Sequence, residues 1–523
     1  MIKRAALVLL AAVVVQRPAA QPFPLDEATA AQLQDAMTAG RYTAHQIADM
    51  YLRRIEEIDR NGPTLRSVIE INPDALAIAD ALDAERKAKG PRGPLHGIPI
   101  LIKENIGTAD KMMTTAGSLA LEGSRPAKDA FIVERLRAAG VVILGKTNLS
   151  EWANFRSTHS TSGWSGRGGL VKNPYALDRN ACGSSSGTGA AIAANLAAIG
   201  VGTETDGSIV CPSGTNGLVG IKPTIGLVSR IGIVPISHSQ DTAGPMGRTV
   251  ADAALLLGAM TGVDPADAAM SGHAAHAGVD YTKSLDANAL KGARIGVARK
   301  QYFGYSDAAD RLVNQAIADM KAQGAVIVDP ADIPTAAKLD GCEMEVLLYE
   351  FKADLNTYLA ALGPSAPVHS LEEAIAFNER EKAREMPYFG QELFISAQKK
   401  GPLTTPAYLT ALAKCRALAR TQGIDLVLKQ HRLDAIVAPT GSPAWTTDLV
   451  NGDHFTGASS TPAAVAGYAS ITVPAGAAFD LPVGISFIGG AWSEPKLIAL
   501  AYAYEQATRH RKPPRLADLP TTR

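Results

Sequence analysis

The amino-acid sequence predicts an α/β fold with a large mixed, mostly parallel sheet covered by helices on both faces. The first reason is composition, because 46% of the 523 residues are apolar and 20% are charged, as in soluble globular proteins. The second is an alternation of short apolar runs with helix-period segments, which is typical of strands buried between helices. The third is a content of 48 glycines beside only 5% aromatic residues, which suits close packing of helices on a sheet.

The first half of the chain shows this alternation most clearly. Helix-period apolar residues occupy 28–62 and 71–90, and continuous apolar strands follow at 98–102 and 141–144. Residues 129–139, which lie between the two strands, again have a helical pattern. The order strand, helix, strand is the unit from which parallel sheets are built.

The second half is more helical. From about residue 261 to 429 the pattern contains a single strand, at 293–299, and strand signals then return at 433–440, 469–476 and 481–490. No composition break, linker or internal repeat interrupts the chain after the first 20 residues. We therefore predict one domain, residues 21–523, with a mostly helical insertion at about 261–429.

The first 20 residues have the layout of a secretory signal peptide. Lys3 and Arg4 precede an apolar run, residues 5–15, that is too short to cross a bilayer, and small residues lie near Ala20. This order predicts an exported protein, periplasmic or secreted, with no stable membrane span once the signal is removed. The alternative is a cytoplasmic protein with an apolar N-terminus.

The charge balance argues against a nucleic-acid partner. Lys plus Arg and Asp plus Glu both number 51, so the chain has no net charge that would attract nucleic acid or an anionic membrane.

The potential metal and disulfide residues show no recognisable spacing. Cys182, Cys211, Cys342 and Cys415 form no CxxC pair, so buried free thiols are the default expectation, although an exported protein could join two of them. The only close histidine pair lies in HAAH, residues 273–276, and lacks an obvious third ligand. No metal site is predicted.

Two short motifs match known patterns in letters but not in context. GVVILGKT, residues 140–147, fits the phosphate-loop pattern, yet its middle residues are apolar and mostly β-branched and predict a strand. GSSSG, residues 183–187, fits the nucleophile elbow with Ser185 at its centre, but the preceding residues are typical of a loop rather than of a buried strand. A Ser-His-Asp hydrolase therefore stays an alternative, since such triads are defined by geometry.

Three other features together indicate nucleophilic catalysis. Lys103 ends a buried apolar strand, where desolvation would lower the pKa of its amine and make it a proton acceptor. A glycine-serine loop, residues 183–189, opens a helix that starts near Thr188. The second glycine-containing turn, TETDGS, holds Ser208 beside backbone N–H groups that can form an oxyanion hole. Each of the three features also has an ordinary structural explanation when taken alone. In the same order, these are a lysine that reaches solvent, a serine-rich helix cap and a surface loop.

The order and spacing of these features resemble the amidase signature family. GIPILIKENI resembles its lysine strand, GKTNLSEWA the turn that follows, and residues 182–230 its signature block. DTAGPMGRTVADAALLL and LPVGISFIGG resemble further family segments, so the similarity extends over about residues 29–508 and is weakest in the helical insertion. The "TETDGSIV" and "SEWANFRSTHS" variants resemble most the bacterial peptide amidases of this family.

The resemblance implies a Ser-Ser-Lys triad. Ser208 would be the nucleophile, and Ser184, preceded by a cis peptide bond, would relay its proton to Lys103. The resemblance also implies an acyl-enzyme on Ser208, loss of ammonia or amine, hydrolysis by water, and no metal or organic cofactor. The oxyanion hole would consist of the backbone N–H groups of Thr205, Asp206, Gly207 and Ser208.

The substrate is expected to be a neutral amide. Val210 occupies a position where many family members have arginine, so a substrate carboxylate would lack an obvious partner. A small amide or the C-terminal carboxamide of a peptide fits better. The residues implied in substrate binding or in supporting the pocket are Asn154, Phe155, Ser157, Thr158 and Ser185.

Two further functions stay open. A glutaminase-type subunit of a tRNA-dependent amidotransferase would share the fold, but it needs cytoplasmic partners, which the predicted signal peptide disfavours. A catalytically inactive binding protein is the alternative from another class, although all three triad side chains are present.

Overall fold

The computed structural model describes residues 23–364, 366–516 and 519. The predicted signal peptide, residues 1–20, lies outside this part of the chain. Within it, fifteen strands are found. They are β1 (Val68–Ile71), β2 (Pro99–Lys103), β3 (Val142–Thr147), β4 (Trp164–Ser165), β5 (Gly169–Leu170), β6 (Lys172–Asn173), β7 (Ala176–Asn180), β8 (Ile199–Glu204), β9 (Val219–Lys222), β10 (Thr242–Gly247), β11 (Arg294–Val297), β12 (Val326–Val328), β13 (Ala435–Pro439), β14 (Ser470–Ala478) and β15 (Leu481–Ile488).

Helices occupy most of the chain between these strands. The α-helices of the described residues are α1 (Ala30–Thr38), α2 (Ala44–Arg54), α3 (Ala75–Lys89), α4 (Phe131–Ala138), α5 (Ser186–Ala193), α6 (Val210–Thr215), α7 (Val250–Met260), α8 (Asp307–Ala322), α9 (Asp340–Ala361), α10 (Leu371–Arg380), α11 (Lys382–Glu385), α12 (Glu392–Gln398), α13 (Pro406–Ala419), α14 (Asp425–His431), α15 (Thr461–Ala466) and α16 (Glu494–Thr508). In this part of the chain no helix is long and apolar enough to cross a membrane.

Eleven of the described strands form one mixed sheet. Their order is β1-β3-β2-β8-β10-β9-β14-β15-β13-β11-β12, and β4–β5 and β6–β7 are separate two-stranded pairs. The prediction of a large mixed sheet surrounded by helices is confirmed. The antiparallel share is larger than predicted, because six of the ten neighbouring pairs are antiparallel and four are parallel. One cause is the two-residue connection of β14 to β15, which allows only an antiparallel pair.

The parallel strands β3, β2 and β8 lie side by side near one end of the sheet. In their register Ile102 of β2 lies opposite Lys146 of β3 and Val201 of β8. All three strands are buried along their whole length, which explains their continuous apolar sequences. Because the carboxyl ends of parallel strands meet at one edge, the residues after β2 and β8 lie together.

The predicted helical insertion contains more of the sheet than the sequence indicated. The strand predicted at 293–299 is β11, but a second strand, β12, pairs with it in parallel and ends the sheet. The residues that are almost purely helical are those from α9 to α14, which begin at Asp340 and end at His431. The three-residue strand β12 is too short for its pattern to be distinguished from a loop.

The expectation of free thiols is wrong. Cys342 of α9 and Cys415 of α13 form a disulfide with a Cα–Cα distance of 5.6 Å, and Cys182 and Cys211 form a second with 6.0 Å. Sequence spacing did not reveal either pair, because each joins segments that only the fold brings together.

Candidate active site

Lys103 ends strand β2 and has no solvent exposure. Its Nζ donates hydrogen bonds to Ser184 Oγ (2.7 Å), Thr203 Oγ1 (2.8 Å) and the Thr203 carbonyl (3.2 Å). Burial lowers the pKa of this amine to about 7, against the opposing charges of Asp241 and Glu204. The alternative of a solvent-reaching lysine is therefore wrong.

The glycine-serine loop presents Ser184 to this amine. Ser184 is 1% exposed, the peptide bond Gly183–Ser184 is cis, as the family resemblance implied, and the Ser184 carbonyl accepts from Ser150 N at 3.0 Å. A Cβ at Gly183 would lie 2.2 Å from Ser150 Oγ, so a side chain there would require the Ser150 hydroxyl to move. The next residue, Ser185, is buried and donates from Oγ to the Thr203 carbonyl (3.0 Å).

The second loop connects β8 to α6 and carries Ser208, which is 8% exposed. Ser185 N donates to the Ser208 carbonyl at 3.2 Å, so the two serine loops are joined through their backbones. The turn before Ser208 needs the positive φ of 77° at Gly207, which favours glycine. Glu204 Oε2 accepts from Ile209 N (2.7 Å) and, at 3.0 Å, from the next backbone N–H, so its carboxylate caps α6.

Two side chains of this turn are fixed from outside it. Thr205 Oγ1 donates to Asp241 Oδ1 at 2.6 Å, and Thr461 Oγ1 donates to Asp206 Oδ2 at 2.7 Å. Burial raises the pKa of Asp206, and burial together with Asp206 raises the pKa of Glu343 well above its usual range. The carboxyl groups of Asp206 and Glu343 therefore hold protons more tightly than free carboxyl groups do.

A cavity of about 740 Å³ lies over Ser208. Its wall includes most of the residues predicted for the oxyanion hole and the substrate pocket: Thr205, Asp206, Gly207, Ser208, Asn154, Phe155, Ser157 and Thr158. Ser185 does not belong to the wall, because its side chain points to the Thr203 carbonyl instead. The structure thus brings together the residues predicted for the oxyanion hole and the substrate pocket, except for Ser185. The Ser185 side chain supports the glycine-serine loop on the side away from the cavity.

The cavity is acidic. Asp206, Asp340 and Asp453 contribute to its wall, and no lysine or arginine is among the described residues that line it. The Asp453 carboxylate has a structural role, since it accepts hydrogen bonds from Ser162 N and Trp445 Nε1. An anionic group on a ligand would find no lysine or arginine in the described part of this wall.

The loop that forms one side of the cavity has an unusual backbone. Trp152, Ala153 and Asn154 have φ values of 50°, 52° and 76°, a left-handed run that is uncommon for residues other than glycine. Neighbouring aromatic side chains pack on both ends of the run. The ring centroids of Trp152 and Phe394 are 5.6 Å apart, and those of Phe155 and Phe351 are 5.0 Å apart.

The two rejected motifs have structural roles. Lys146 of the GVVILGKT motif is fully buried in β3, and its Nζ donates to the carbonyls of Ile106 (3.0 Å) and Met113 (2.8 Å). The residues before Ser185 include β7, but β7 is partly exposed and pairs with β6 in a two-stranded sheet outside the main sheet. Neither segment has the context that its motif requires.

The HAAH histidines pack on an aromatic ring, since His273 and His276 lie 4.5 and 4.1 Å from the Trp492 ring centre. The structure brings together one other group of possible metal ligands among the described residues, which consists of His238, Glu350 and Asp354. Its side chains bind one another and their neighbours, and the expectation of no metal site stays a prediction.

Several residues at the site were not anticipated. Thr203 holds the amine of Lys103 with two contacts, Glu204 caps the helix after Ser208, and Asp241 holds Thr205. Thr203 and Glu204 are the first two residues of the TETDGS segment, so their closeness to Ser208 was visible in the sequence. Asp340 and Leu347 of α9 also line the cavity, and no sequence signal placed α9 there.

Comparison with known proteins identifies the family. A model of the family described as Amidase matches residues 46–498. The chain belongs to the amidase family. This amidase is 44% identical over 509 residues to a probable amidase of Arabidopsis thaliana, covering 94% of this chain and 92% of the relative. It is 52% identical to the native peptide amidase of Stenotrophomonas maltophilia, whose crystal structure superposes with a TM-score of 0.91 and coverage of 95% and 100%.

The amidotransferases are more distant relatives of this amidase. A glutamyl-tRNA(Gln) amidotransferase polypeptide of Halorhodospira halophila is 34% identical over 499 residues, covering 92% of this chain and 98% of the relative.

The family match and the similarity to the Stenotrophomonas maltophilia enzyme confirm the resemblance to the amidase signature family and to bacterial peptide amidases. The amidase is an amide-hydrolysing enzyme.

The disulfide between Cys182 and Cys211 supports both serine loops, because Cys182 lies two residues before Ser184 and Cys211 three residues after Ser208. Replacing both cysteines by alanine should lower the free energy of unfolding by about 3 kcal/mol, as expected for a loop of this length. We also expect kcat to fall about tenfold or more, since the loops lose their common support. Chemical unfolding and steady-state kinetics measure the two effects.

The matched control is Cys342→Ala with Cys415→Ala, which removes the other disulfide, of sequence separation 73 against 29. This double variant should lose comparable stability but less of its kcat than the first, because neither of its cysteines lies in a serine loop. Equal kcat losses in the two double variants would show that the first disulfide has no special influence on the serine loops.

Proposed function

We propose that the enzyme hydrolyses the carboxamide C–N bond of small or peptide amides, such as C-terminal peptide amides, and releases ammonia. The single observation that carries the proposal is the 2.7 Å contact between the buried amine of Lys103 and Ser184 Oγ. A buried amine with a pKa of about 7 is largely neutral above neutral pH, which is the state a general base needs.

In the first step Ser208 Oγ attacks the amide carbonyl carbon. Its proton passes to Ser184, whose own proton passes to Lys103 Nζ, so that the amine becomes an ammonium ion. Two features support this relay: Lys103 is in contact with Ser184, and the backbone bond from Ser185 N to the Ser208 carbonyl holds the serine loops side by side. The negative charge that develops on the carbonyl oxygen needs hydrogen-bond donors.

The proposed donors are the backbone N–H groups of residues 205–208. The N–H groups of Ile209 and Val210 are engaged by Glu204, so the donors available in this turn are those that precede them. Donors fixed before the reaction stabilise an oxyanion without reorganising. The turn is held in place by Thr205 and Asp206 through their side-chain hydrogen bonds.

The tetrahedral intermediate collapses when the C–N bond breaks. The leaving nitrogen takes the proton from the Lys103 ammonium through Ser184 and departs as ammonia, which leaves an acyl ester on Ser208. A water molecule then attacks this ester, and the same relay removes its proton and returns one to Ser208. The products are a carboxylic acid and the free enzyme.

The acidic cavity favours a neutral acyl group over a carboxylate. A peptide amide has no carboxylate at its reacting end, whereas free glutamine carries an α-carboxylate that would face Asp206 and Asp340 without a positive partner. The 52% identity to a protein named peptide amidase supports the same substrate class. The glutaminase-type alternative is supported only by relatives at lower identity.

The pH dependence of the reaction should reflect Lys103. The protonated amine cannot accept a proton, so kcat/KM should fall as pH decreases through about 7. Lys103→Met, which keeps the volume and removes the base, should lower kcat/KM by about 10²–10⁴-fold. A wild-type profile that stays flat down to about pH 5 would contradict a lysine base.

The substrate class can be tested by ammonia release from a panel of amides. We expect peptide amides to be hydrolysed with kcat/KM at least about a hundredfold above that for free glutamine, because the cavity lacks a carboxylate partner. Ser208→Ala should lose about four orders of magnitude or more in kcat. Ser186→Ala, in the same sequence region, is the matched control and should retain wild-type turnover within about threefold. Preferential hydrolysis of glutamine would instead favour the amidotransferase-like alternative.

We also propose that the enzyme is exported, to the periplasm or outside the cell. The basic and apolar layout of residues 1–20 supports this, and so do two disulfides, which persist in oxidising compartments. Protein isolated from the native cell without reductant should have no titratable thiol, and N-terminal sequencing should start near Gln21. An intact Met1 together with four free thiols would contradict export.

A further inference from the structure

The segment between β9 and β10 ends in a turn that Asp241 closes. Its Oδ2 accepts hydrogen bonds from Ile236 N (2.8 Å) and Ser237 N (2.9 Å). Its Oδ1 accepts the hydroxyl of Thr205 at 2.6 Å, at the start of the proposed oxyanion turn. The carboxylate thus joins a fixed turn on one side to the catalytic loop on the other.

Helix α9 holds this turn from the opposite side. Glu350 accepts hydrogen bonds from Ser237 Oγ (2.5 Å) and Ser239 N (3.1 Å), and Asp354 accepts from His238 N (2.8 Å). Gln240 Nε2 donates to Glu343 Oε1 at 2.7 Å. Four consecutive residues of the turn are therefore anchored on one helix, so Asp241 has little freedom to follow Thr205 if Thr205 moves.

Asp241 also lies near Lys103, because it directly precedes Thr242 of β10, which pairs with Glu204 of β8, and the residue before Glu204, Thr203, accepts a hydrogen bond from Lys103 Nζ. Lys103 has two acidic groups in its surroundings, Asp241 and Glu204, and both favour its protonated form against the effect of burial. The negative charge of Asp354 on α9 raises the pKa of Asp241. The negative charge of Asp241 in turn raises the pKa of Arg230. Burial raises the pKa of Asp241 to about 6, which still leaves it charged at the pH where Lys103 is neutral.

We propose that Asp241 is a positioning residue that acts on the reaction in two separable ways. It fixes Thr205, and with it the oxyanion turn, and its negative charge stabilises the ammonium ion that forms when Lys103 takes the proton from Ser184. The proposal rests on the proposed function, because it assumes that Lys103 is the base. A buried ammonium is disfavoured unless negative charge lies near it, and Asp241 supplies part of that charge beside Glu204, so it lowers the barrier of the step in which the ammonium appears.

Asp241→Asn tests the electrostatic effect. Asparagine can keep the contacts, with its oxygen accepting from the two backbone N–H groups and its amide donating to Thr205 Oγ1. Loss of the negative charge disfavours the ammonium form of Lys103. The fall of kcat/KM on the acid side of the pH profile (the acid limb) should therefore move to lower pH by about 0.5–1 unit. At pH 9 kcat should fall about three- to tenfold, because the weaker base accepts the proton less readily.

Thr205→Val tests the positioning effect at pH 9, where Asp241 stays charged. Valine has the shape of threonine but cannot donate to Asp241, so kcat at this pH should fall about tenfold. Thr205→Ser retains the hydroxyl and serves as the matched control, with kcat close to wild type. The expected results are a moved acid limb in Asp241→Asn and a lower kcat at pH 9 in Thr205→Val.

The proposal is overturned if Asp241→Asn lowers kcat and leaves the acid limb where it is, which is what a purely structural role would give. It is equally overturned if Thr205→Val retains wild-type kcat, a result that does not depend on whether Asp241→Asn folds. Failure of the proposed function would look different, since wild-type enzyme would then lack an acid limb near pH 7 and Lys103→Met would stay active.

Discussion

The structure of the site depends on the removal of one amine from water. Lys103 ends the central strand of three parallel strands, and no part of it is exposed. An amine that solvent could reach would stay protonated at neutral pH and could not accept a proton. The apolar sequence of β2, the packing of β3 and β8 on both sides of it, and the contacts with Thr203 all serve to keep the amine in a dry, fixed place.

Several contacts of different kinds hold the two serine loops around the amine. A backbone hydrogen bond joins the two serine loops, a disulfide spans them, and Glu204 caps the helix that follows Ser208. These contacts belong to the polypeptide itself and need no ligand. The site is therefore organised before any substrate binds, which is the condition under which fixed dipoles are most effective in catalysis.

Much of this could be predicted from the sequence, but only where the information is local. The buried strands, the closeness of the glycine loops to helices, and the family resemblance rest on contiguous residues, and the positions of Lys103 and Ser184 relative to each other agree with them. Most antiparallel pairs of the sheet and both disulfides depend on contacts between distant segments, for which the pattern has no signal, and strand β12 is too short to be distinguished from a loop. The family resemblance implied Ser185 among the residues at the substrate pocket, and only its hydrogen bond to the Thr203 carbonyl shows that its side chain points away from the cavity.

Helix α9 contacts the surroundings of the site at two places along its length. Asp340 and Leu347 near its beginning belong to the cavity wall, while Glu343, Glu350 and Asp354 hold the segment that carries Asp241. The cavity wall and the support of Asp241 are consequently linked through one helix. Exchange of the exposed Asp340 would change the wall alone, whereas an altered tilt of the helix would change the wall and the support of Asp241 together. Directed evolution of this enzyme would therefore gain most from varying Asp340 while leaving Glu343 and the helix axis undisturbed.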